Sequence, residues 1–336
     1  MSDYKSIQGF KVTQIASDPS TGVEGQVWYN TTTNLLKYSG QAAAWSSGGN
    51  LNTARAYTSG CGSVTAALTT GGNTPGTTRT GATETYNGTA WTSVNSLGSA
   101  RYGSGCAGTQ TAAINFGGSI SPGAGISGET EDWNGTSWTV VSGGGLNLAR
   151  MGIGPIGQVS TAALAVSGGY NHPPQGLTET YDGSTWTSGN NLNTARTLTK
   201  GAAGTVTAGI AVAGDTNPPS TGRTSKLTEE YNGTSWSNVN DCNNIRYEDG
   251  CVGAVQTAAT LFGGGAPGAV LIPQTEIYDG TTWTISPNSL ATARRAVGNN
   301  AGAVSTGALC IGGNPGYVNL VEEFTLGAVT KTVTTS

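Results

Sequence analysis

One short pattern recurs along this chain and constrains its fold more than any other feature. It starts with a glutamate, contains an aromatic residue and an Asn-Gly or Asp-Gly pair, and ends in a tryptophan seven residues after the glutamate. The five copies are Glu84–Trp91, Glu131–Trp138, Glu179–Trp186, Glu229–Trp236 and Glu276–Trp283. Self-similarity at a fixed interval is typical of solenoids, propellers and other arrays, so it has to be interpreted before any local feature.

The spacing of the tryptophans gives the repeat length. A weaker copy of the pattern ends at Trp45, and the successive intervals from there are 46, 47, 48, 50 and 47 residues. Ten to twelve residues after each tryptophan comes an arginine, and then a strand-like run that ends in a glycine pair or a variant of it. These arginines are Arg55, Arg101, Arg150, Arg196, Arg246 and Arg294. A repeat of this length with four short β-prone segments fits one four-stranded propeller blade.

The repeats therefore predict an all-β fold, a six-bladed β-propeller with four-stranded blades. The Asn-Gly and Asp-Gly pairs predict type I′ turns between the third and fourth strands, and each tryptophan is expected to pack between blades. The last repeat ends after Glu322 without a tryptophan strand, whereas the Trp45 strand has no strands before it. Pairing the two would close the ring with an N-terminal strand in the C-terminal blade and protect the open edges.

Three regions follow from this pattern. Residues 41–326 are the propeller, and residues 327–336 are a C-terminal tail. Residues 1–40 are an N-terminal attachment segment, in which Gln26–Asn30 and Leu35–Tyr38 flank a polar stretch and predict a β-hairpin.

Two resemblances to known families accompany these patterns. A glycine pair ending one strand, an aromatic residue on the next, a tryptophan about six residues later and an arginine leading into the following blade resemble the kelch motif over about residues 45–325. That resemblance implies a kelch-type propeller but no activity, because function in a shared fold lies in its loops. Residues 22–38 resemble stretches of tail-fibre and other virion proteins of tailed, especially marine T4-like, phages. This second resemblance implies attachment to other virion proteins.

Composition narrows the classes of function. Charged residues are 10% of the chain, against about 25% in typical soluble domains, which favours a stable extracellular or virion protein. The net charge is −4 with no basic run, which excludes the electrostatic surface of a nucleic-acid-binding protein. No apolar stretch approaches the roughly 20 residues of a membrane span, and the N-terminus lacks the apolar core of a secretory signal. We expect assembly in a host cytoplasm and action outside the cell, on the virion.

The sequence contains few residues that could bind a metal ion or take part in redox chemistry. Copper sites of galactose-oxidase-like propellers need imidazole, and the one histidine is His172. No Cys/His cluster suggests zinc. We therefore expect no cofactor and no catalytic residue. Cys61, Cys106 and Cys251 occupy equivalent positions on different repeats, so they are expected to lie too far apart for a disulfide and to be buried as apolar thiols.

The repeated charges invite a search for an active site. A catalytic carboxylate pair needs two acids in one pocket, whereas the repeat spreads one glutamate to each blade. The favoured interpretation is structural, with each glutamate binding backbone N–H groups or an arginine at a blade junction. The six glutamates are Glu84, Glu131, Glu179, Glu229, Glu276 and Glu322.

Residues that do not repeat are the better candidates for recognition. The connections between each glycine pair and the next glutamate vary in length and should emerge on one face of the propeller. Their candidate binding residues are Arg79, Tyr170, Asn171, His172, Asp215, Arg223, Lys226 and Tyr317.

The leading hypothesis is a non-enzymatic phage virion protein, a structural or adhesin module that binds host-surface glycans or another virion protein. The alternatives are a free-standing lectin and, after it, a kelch-type carbohydrate-active enzyme. A lectin would need a repeated set of polar and aromatic side chains, and the repeated aromatics here are assigned to packing. Self-association into a homo-oligomer is left open.

Overall fold

The structure, a computed structural model, describes residues 12–19, 25–120, 125–169, 175–196, 201–216, 225–300 and 303–333. It divides into two compact units. Trp45–Phe324 form the larger unit, and Met1–Ala44 together with Thr325–Ser336 form the smaller one. The two chain ends thus belong to the same unit. No helix within the described ranges is long and apolar enough to cross a membrane.

The larger unit contains five four-stranded antiparallel sheets, which we number blades 1 to 5 in chain order. Within each blade the four strands lie side by side in the order of the chain, so every strand pairs with its neighbour in sequence. The strands are Ser59–Ser63, Ala66–Thr70, Thr83–Tyr86 and Trp91–Val94 in blade 1; Gly105–Gly108, Ala113–Phe116, Thr130–Trp133 and Trp138–Val140 in blade 2; Gly154–Val159, Ala162–Val166, Thr178–Tyr181 and Trp186–Ser188 in blade 3; Ala202–Thr205, Ala208–Val212, Thr228–Tyr231 and Trp236–Val239 in blade 4; and Gly250–Val255, Ala258–Phe262, Thr275–Tyr278 and Trp283–Ile285 in blade 5.

Blade 6 joins the two ends of the repeat array. Its strand order places Leu35–Ser47, which carries Trp45, beside Val321–Thr332, and Val321–Thr332 beside Gly307–Ile311. The innermost segment of this blade pairs through Gly298, whose N–H donates to the carbonyl of Ile311 (2.8 Å).

Hydrogen bonds between blade 6 and the start of blade 1 close the ring. The N–H of Leu51 donates to the carbonyl of Asn319 (2.9 Å), and the N–H of Tyr57 donates to that of Ala296 (2.8 Å). The structure therefore confirms the predicted all-β, six-bladed propeller, in which an N-terminal strand completes the C-terminal blade.

Two small hairpins are inserted between second and third strands. In blade 1, Asn73–Thr74 pairs with Thr78–Arg79. In blade 5, Gly265–Ala266 pairs with Val270–Leu271 around a 3-10 turn at Pro267–Ala269.

The turn between the third and fourth strands differs from the predicted type. Tyr86 pairs directly with Trp91, and the N–H of Asn87 donates to the carbonyl of Ala90 (3.3 Å). Gly88 is therefore the first of the two central residues, and it is the one residue of this turn with a positive φ, 88°. A type I′ turn needs positive φ at both central residues, so that prediction was wrong. Within the turn, the side-chain oxygen of Asn87 accepts a hydrogen bond from the N–H of Ala90 (2.9 Å).

The hydrophobic core is a series of layers between neighbouring blades. Between blades 3 and 4, for example, Ile156 and Leu164 pack with Tyr231 and Trp236. In five junctions the indole N–H of the tryptophan also donates to the hydroxyl of a threonine that begins the third strand of the preceding blade. These bonds join Trp138 to Thr83 (3.0 Å), Trp186 to Thr130 (2.9 Å), Trp236 to Thr178 (2.9 Å), Trp283 to Thr228 (3.1 Å) and Trp45 to Thr275 (2.7 Å).

The glycine pair at the end of each second strand allows neighbouring blades to approach closely. In blade 1, Gly71 has a φ of 67°, and a Cβ atom there would lie 2.6 Å from the carbonyl oxygen of Arg101. The N–H of Gly72 donates to that same carbonyl (2.8 Å). Any larger residue at position 71 would push the two blades apart.

The smaller unit is a short sheet. Thr13–Ile15 pairs in parallel with Val27–Asn30, which pairs antiparallel with Leu35–Ser47 at the site of the predicted hairpin. Asp18 accepts hydrogen bonds from Lys37 (2.6 Å) and Asn30 (2.7 Å) across this sheet. The hydrogen bond from Lys37, with those from its other neighbours, lowers the pKa of Asp18 to about 2.

Candidate functional site

Each blade of the propeller contains one buried arginine–glutamate pair. In blade 1, Arg55 Nη2 lies 3.0 Å from Glu84 Oε1, and Glu84 also accepts the N–H groups of Asn52 (2.7 Å) and Thr53 (3.3 Å). Burial is the main cause that lowers the pKa of Arg55 to about 10, while Glu84 opposes the shift. The other pairs are Arg101–Glu131, Arg150–Glu179, Arg196–Glu229, Arg246–Glu276 and Arg294–Glu322. The repeated acids are thus placed one to a blade and do not share a pocket.

Non-repeating side chains converge on the residues that follow the repeat arginines. First strands of neighbouring blades lie beside one another, so these residues lead the chain to the axis of the propeller. Around this axis, residues two positions after a repeat arginine donate their N–H groups to the carbonyls of equivalent residues in the neighbouring blade, over distances of 2.7–3.1 Å. These hydrogen bonds run from Tyr57 to Ala296, from Gly103 to Tyr57, from Gly152 to Gly103 and from Ala296 to Glu248. We call this set the axial ring, and within the described part of the chain it comprises Tyr57, Gly103, Gly152, Glu248 and Ala296.

All five residues of the axial ring have positive φ, from 54° at Ala296 to 69° at Gly152. Glycine adopts this conformation freely, whereas Tyr57 and Glu248 adopt it at a cost on the order of 1 kcal/mol or more. Non-glycine residues held in such conformations concentrate at binding and active sites. The side chains of Tyr57 and Glu248 are therefore where a functional site is to be sought.

On one side, Tyr57 packs against a stacked arginine–tyrosine pair. The rings of Tyr57 and Tyr102 meet edge to face with centroids 5.7 Å apart. The guanidinium carbon of Arg79 lies 4.9 Å from the centre of the Tyr102 ring, and its Nη2 donates to Ser119 Oγ (3.3 Å). Arg79 thereby reaches from the small hairpin of blade 1 onto blade 2.

On the other side, Glu248 lies beside a second arginine–tyrosine pair. Arg295 Nη1 donates to the hydroxyl of Tyr247 (2.8 Å) and lies 3.3 Å from Glu248 Oε2. The guanidinium carbon of Arg295 is 5.3 Å from the centre of the Tyr247 ring. A hydrogen bond between Tyr57 and Glu248 connects the two sides.

These contacts form one continuous group of aromatic and charged side chains on a single face of the propeller. Its tyrosines and arginines are half-buried, and its glutamate is buried. Half-buried tyrosines present an apolar ring and a polar hydroxyl together, which suits recognition of amphipathic ligands. We call this group the axial cluster: Tyr57, Arg79, Tyr102, Tyr247, Glu248 and Arg295.

The charge states within the axial cluster follow from burial and from Glu248. Burial raises the pKa of Tyr57 far above its ordinary value, and Glu248 adds to the shift, so the phenol keeps its proton and can donate to the carboxylate. Burial acts to lower the pKa of Arg295, but Glu248 and the neighbouring tyrosines outweigh it and raise the pKa above its ordinary value.

Asp249 follows directly after the axial ring and is fully enclosed. Both of its carboxylate oxygens are buried without a hydrogen-bond partner among the residues that the structure describes. Burial is the main cause that raises its pKa to about 7, against the opposing effect of Arg246. Gly201 makes room for it, because a Cβ atom there would lie 2.6 Å from Asp249 Oδ1.

Only some of the binding residues predicted from sequence lie in or near the axial cluster. Arg79 belongs to the axial cluster, and Asp215 and Tyr317 lie close enough to influence the pKa values of Tyr247 and Tyr57, respectively. Lys226 is exposed. Four other predicted residues lie outside the described residues: Tyr170, Asn171, His172 and Arg223.

Sequence reasoning missed five of the six cluster residues. Tyr102, Tyr247 and Arg295 each directly follow a repeat arginine, and Tyr57 and Glu248 lie one position further on. A signal was present, because the equivalent positions in other blades hold small or unrelated residues such as Ala56 and Met151. These five residues lie just before the first strand of a blade, outside the connections after the glycine pairs that contain the predicted binding residues.

The cysteines are all free and buried. The prediction that Cys61, Cys106 and Cys251 are buried thiols outside any disulfide is therefore confirmed. The thiols of Cys61 and Cys106 form a hydrogen bond across the junction of blades 1 and 2. Equivalent positions on these two blades come this close because the first strands of neighbouring blades converge at the axis.

Comparison with known proteins supports the fold alone. No family model matches the chain, and no curated protein matches it in sequence. Among solved structures, that of YjhT superposes with a TM-score of 0.64 at 12% sequence identity, covering 84% of this chain and 99% of the other. A likeness of this kind establishes the architecture and leaves the ligand to be argued from the side chains.

Proposed function

We propose that this chain is a kelch-type propeller that serves as a non-enzymatic binding module of a phage virion, where it contacts glycans on the host surface through the axial cluster. The observation that carries the proposal is the presence of half-buried tyrosines, two of them paired with arginines, at positions where the repeat does not require them. Sugars present apolar faces and rows of hydroxyl groups, which aromatic rings and guanidinium groups match.

The N-terminal segment is proposed to attach the propeller to other virion proteins. Residues 22–38 carry the resemblance to tail-fibre proteins, and Val27–Asn30 and Leu35–Ser47 pair as a hairpin within the smaller unit. A binding module on a virion needs both an attachment segment and a recognition surface. The two compact units of this chain are suited to that division of roles.

A glycan array with wild-type protein and a Tyr102→Ala variant tests the recognition half of the proposal. Removing one stacking ring should weaken binding of the glycans that wild-type protein retains by roughly tenfold. Tyr29→Ala is the matched control, because Tyr29 is a half-buried tyrosine of the smaller unit. Equal loss in both variants, or no glycan bound by wild-type protein, would overturn the proposal of glycan recognition.

Incorporation into particles tests the attachment half. Deleting residues 1–30 should abolish incorporation, whereas Tyr102→Ala should leave it unchanged. If the deletion abolishes incorporation but wild-type protein binds no glycan, the role is structural. Normal incorporation of the deletion variant would refute attachment through this segment.

A further inference from the structure

We infer that the axial cluster binds an acidic glycan, one that carries carboxylate or sulfate groups, through Arg79 and Arg295. The inference rests on the proposed function and specifies its ligand class. It comes from a contrast between two kinds of arginine in the same propeller.

Each repeat arginine is buried and forms an ion pair with the glutamate of its blade, and Arg150 uses its guanidinium most completely. In Arg150, Nε donates to Ser167 O (2.9 Å), Nη2 donates to Ala165 O (3.0 Å), and Nη1 contacts Leu148 O (3.1 Å) and Glu179. All three nitrogens of this buried guanidinium are therefore engaged. Arg150 has a structural environment and no capacity left for a ligand.

Arg79 is engaged far less. A guanidinium offers five N–H donors, and across the described residues Arg79 makes one side-chain hydrogen bond, from Nη2 to Ser119 Oγ. Its Nε is buried without a hydrogen-bond partner there, and no acidic side chain in the described ranges forms an ion pair with it. Arg79 is partly open to solvent and has no acidic partner in the described ranges, whereas each of the six repeat arginines is buried in an ion pair with the glutamate of its blade.

Arg295, on the opposite side of the axial cluster, also has N–H donors that make no hydrogen bond within the described residues. Both of its polar contacts, with Tyr247 and Glu248, are made by Nη1. Within the part of the chain that the structure describes, its Nε and Nη2 make no hydrogen bond, and its side chain is 33% exposed. Glu248 is the one acid of the cluster and is buried, so it leaves the outer edge of this guanidinium accessible.

The tyrosine rings hold both guanidinium groups in positions from which they can bind an anion. Each guanidinium is held close to an aromatic ring, which restricts its motion without neutralising its charge. A planar guanidinium binds carboxylate or sulfate oxygens with two parallel hydrogen bonds, which a neutral hydroxyl cannot match. The cations stand on either side of the Tyr57–Tyr102 pair, an arrangement that suits a glycan with an acidic group on more than one residue.

Three soluble polymers separate the ligand classes by calorimetry: neutral dextran, dextran sulfate and the carboxylate polymer polygalacturonate. Wild-type protein should bind at least one acidic polymer about tenfold or more tightly than dextran, and added salt should weaken that binding. Arg79→Gln should reduce the affinity about tenfold with an unchanged melting temperature. Arg295→Lys, which keeps the charge but loses the planar fork, should also weaken binding.

Lys331→Gln is the matched control, since it removes one exposed positive charge from the smaller unit. Equal losses for Lys331→Gln and Arg79→Gln would mean unspecific charge attraction and would overturn the inference. If dextran binds as tightly as the acidic polymers and Arg79→Gln does not change the affinity, the ligand is not specifically acidic. That result would overturn the inference but leave glycan recognition standing. If no polymer binds and the glycan array is also blank, the proposed function fails together with the inference.

Discussion

Five of the six blade junctions share a hydrogen bond that the sixth lacks. In the five, an indole N–H donates to a threonine hydroxyl, as Trp236 does to Thr178 (2.9 Å). At the junction of blades 6 and 1, the residue before the repeat glutamate is Val321, and Trp91 Nε1 is buried without a hydrogen-bond partner among the residues that the structure describes. Trp91 and Val321 still pack in one buried cluster.

Comparing the closing junction with the other five separates the contribution of apolar packing from that of the hydrogen bond. Valine and threonine have nearly the same shape, so the closing junction keeps its apolar contacts and loses one acceptor. An unpaired buried N–H costs about 1–3 kcal/mol. The closing junction, where the two ends of the array meet, is therefore expected to be the weakest of the six.

The largest effect should come from the buried ion pair, which all six blades share. Glu179→Ala leaves Arg150 charged and buried, and should lower the free energy of unfolding by about 3–5 kcal/mol. Denaturant unfolding followed by circular dichroism measures this. Glu322→Ala in blade 6 should cost a similar amount, because Arg294 makes the equivalent contact.

An unchanged melt for Glu179→Ala would contradict the structural assignment of the repeat acids. A much smaller loss for Glu322→Ala would show that the closing blade differs in its ion pair as well as in its tryptophan.

A second departure from the repeat, Asp249, should make stability depend on pH. The folded carboxyl, with its pKa near 7, keeps a proton that the unfolded one loses near pH 4. The unfolded state then binds fewer protons, so stability should fall as pH rises from about 4 to 7, by up to roughly 4 kcal/mol. Arg246, Glu248 and Glu276 also act on this carboxyl.

Asp249→Asn keeps the shape without the charge and should remove most of this pH dependence. Melting curves of both proteins from pH 4 to pH 8 provide the measurement. Parallel curves for wild-type protein and variant would mean that Asp249 has an ordinary pKa.

Thr178→Val converts an ordinary junction into a copy of the closing one. Since the indole of Trp236 loses its acceptor, the free energy of unfolding should fall by about 1–3 kcal/mol. Thr178→Ser keeps the hydroxyl and serves as the control. A valine variant as stable as wild-type protein would mean that this hydrogen bond contributes nothing measurable to the junction.

The smallest effect should be a gain. Val321→Thr offers Trp91 the missing acceptor and should stabilise the protein by about 1 kcal/mol. Equilibrium unfolding of this variant beside Thr178→Val compares the two junctions directly. A loss of stability would show that the closing junction cannot accommodate the hydroxyl in a bonding orientation.

The repeat made most of the fold predictable. Tryptophans at intervals of 46–50 residues indicated the number of blades, and the missing strands around Trp45 and Glu322 indicated how the ring closes. The sequence indicated the position of the turn after Tyr86 but not its conformational type. The type depends on whether Asn87 or Gly88 is the first central residue, and the strand register decides that. The threonine partners of the five bonded indoles were also out of reach, since each lies on the preceding blade, 55–58 residues away in four cases and 230 residues away for Trp45.

Sequence by itself determined the elements that depend on local order: strands, hairpins, repeat length and the position of each glutamate and arginine. Tertiary structure alone decided which side chains meet at the axis. Tyr102, Tyr247 and Arg295 come from three different blades, and they belong to one cluster because the ring brings the chain back on itself. Periodicity describes what every blade has in common, whereas this site is assembled from residues that the blades do not share.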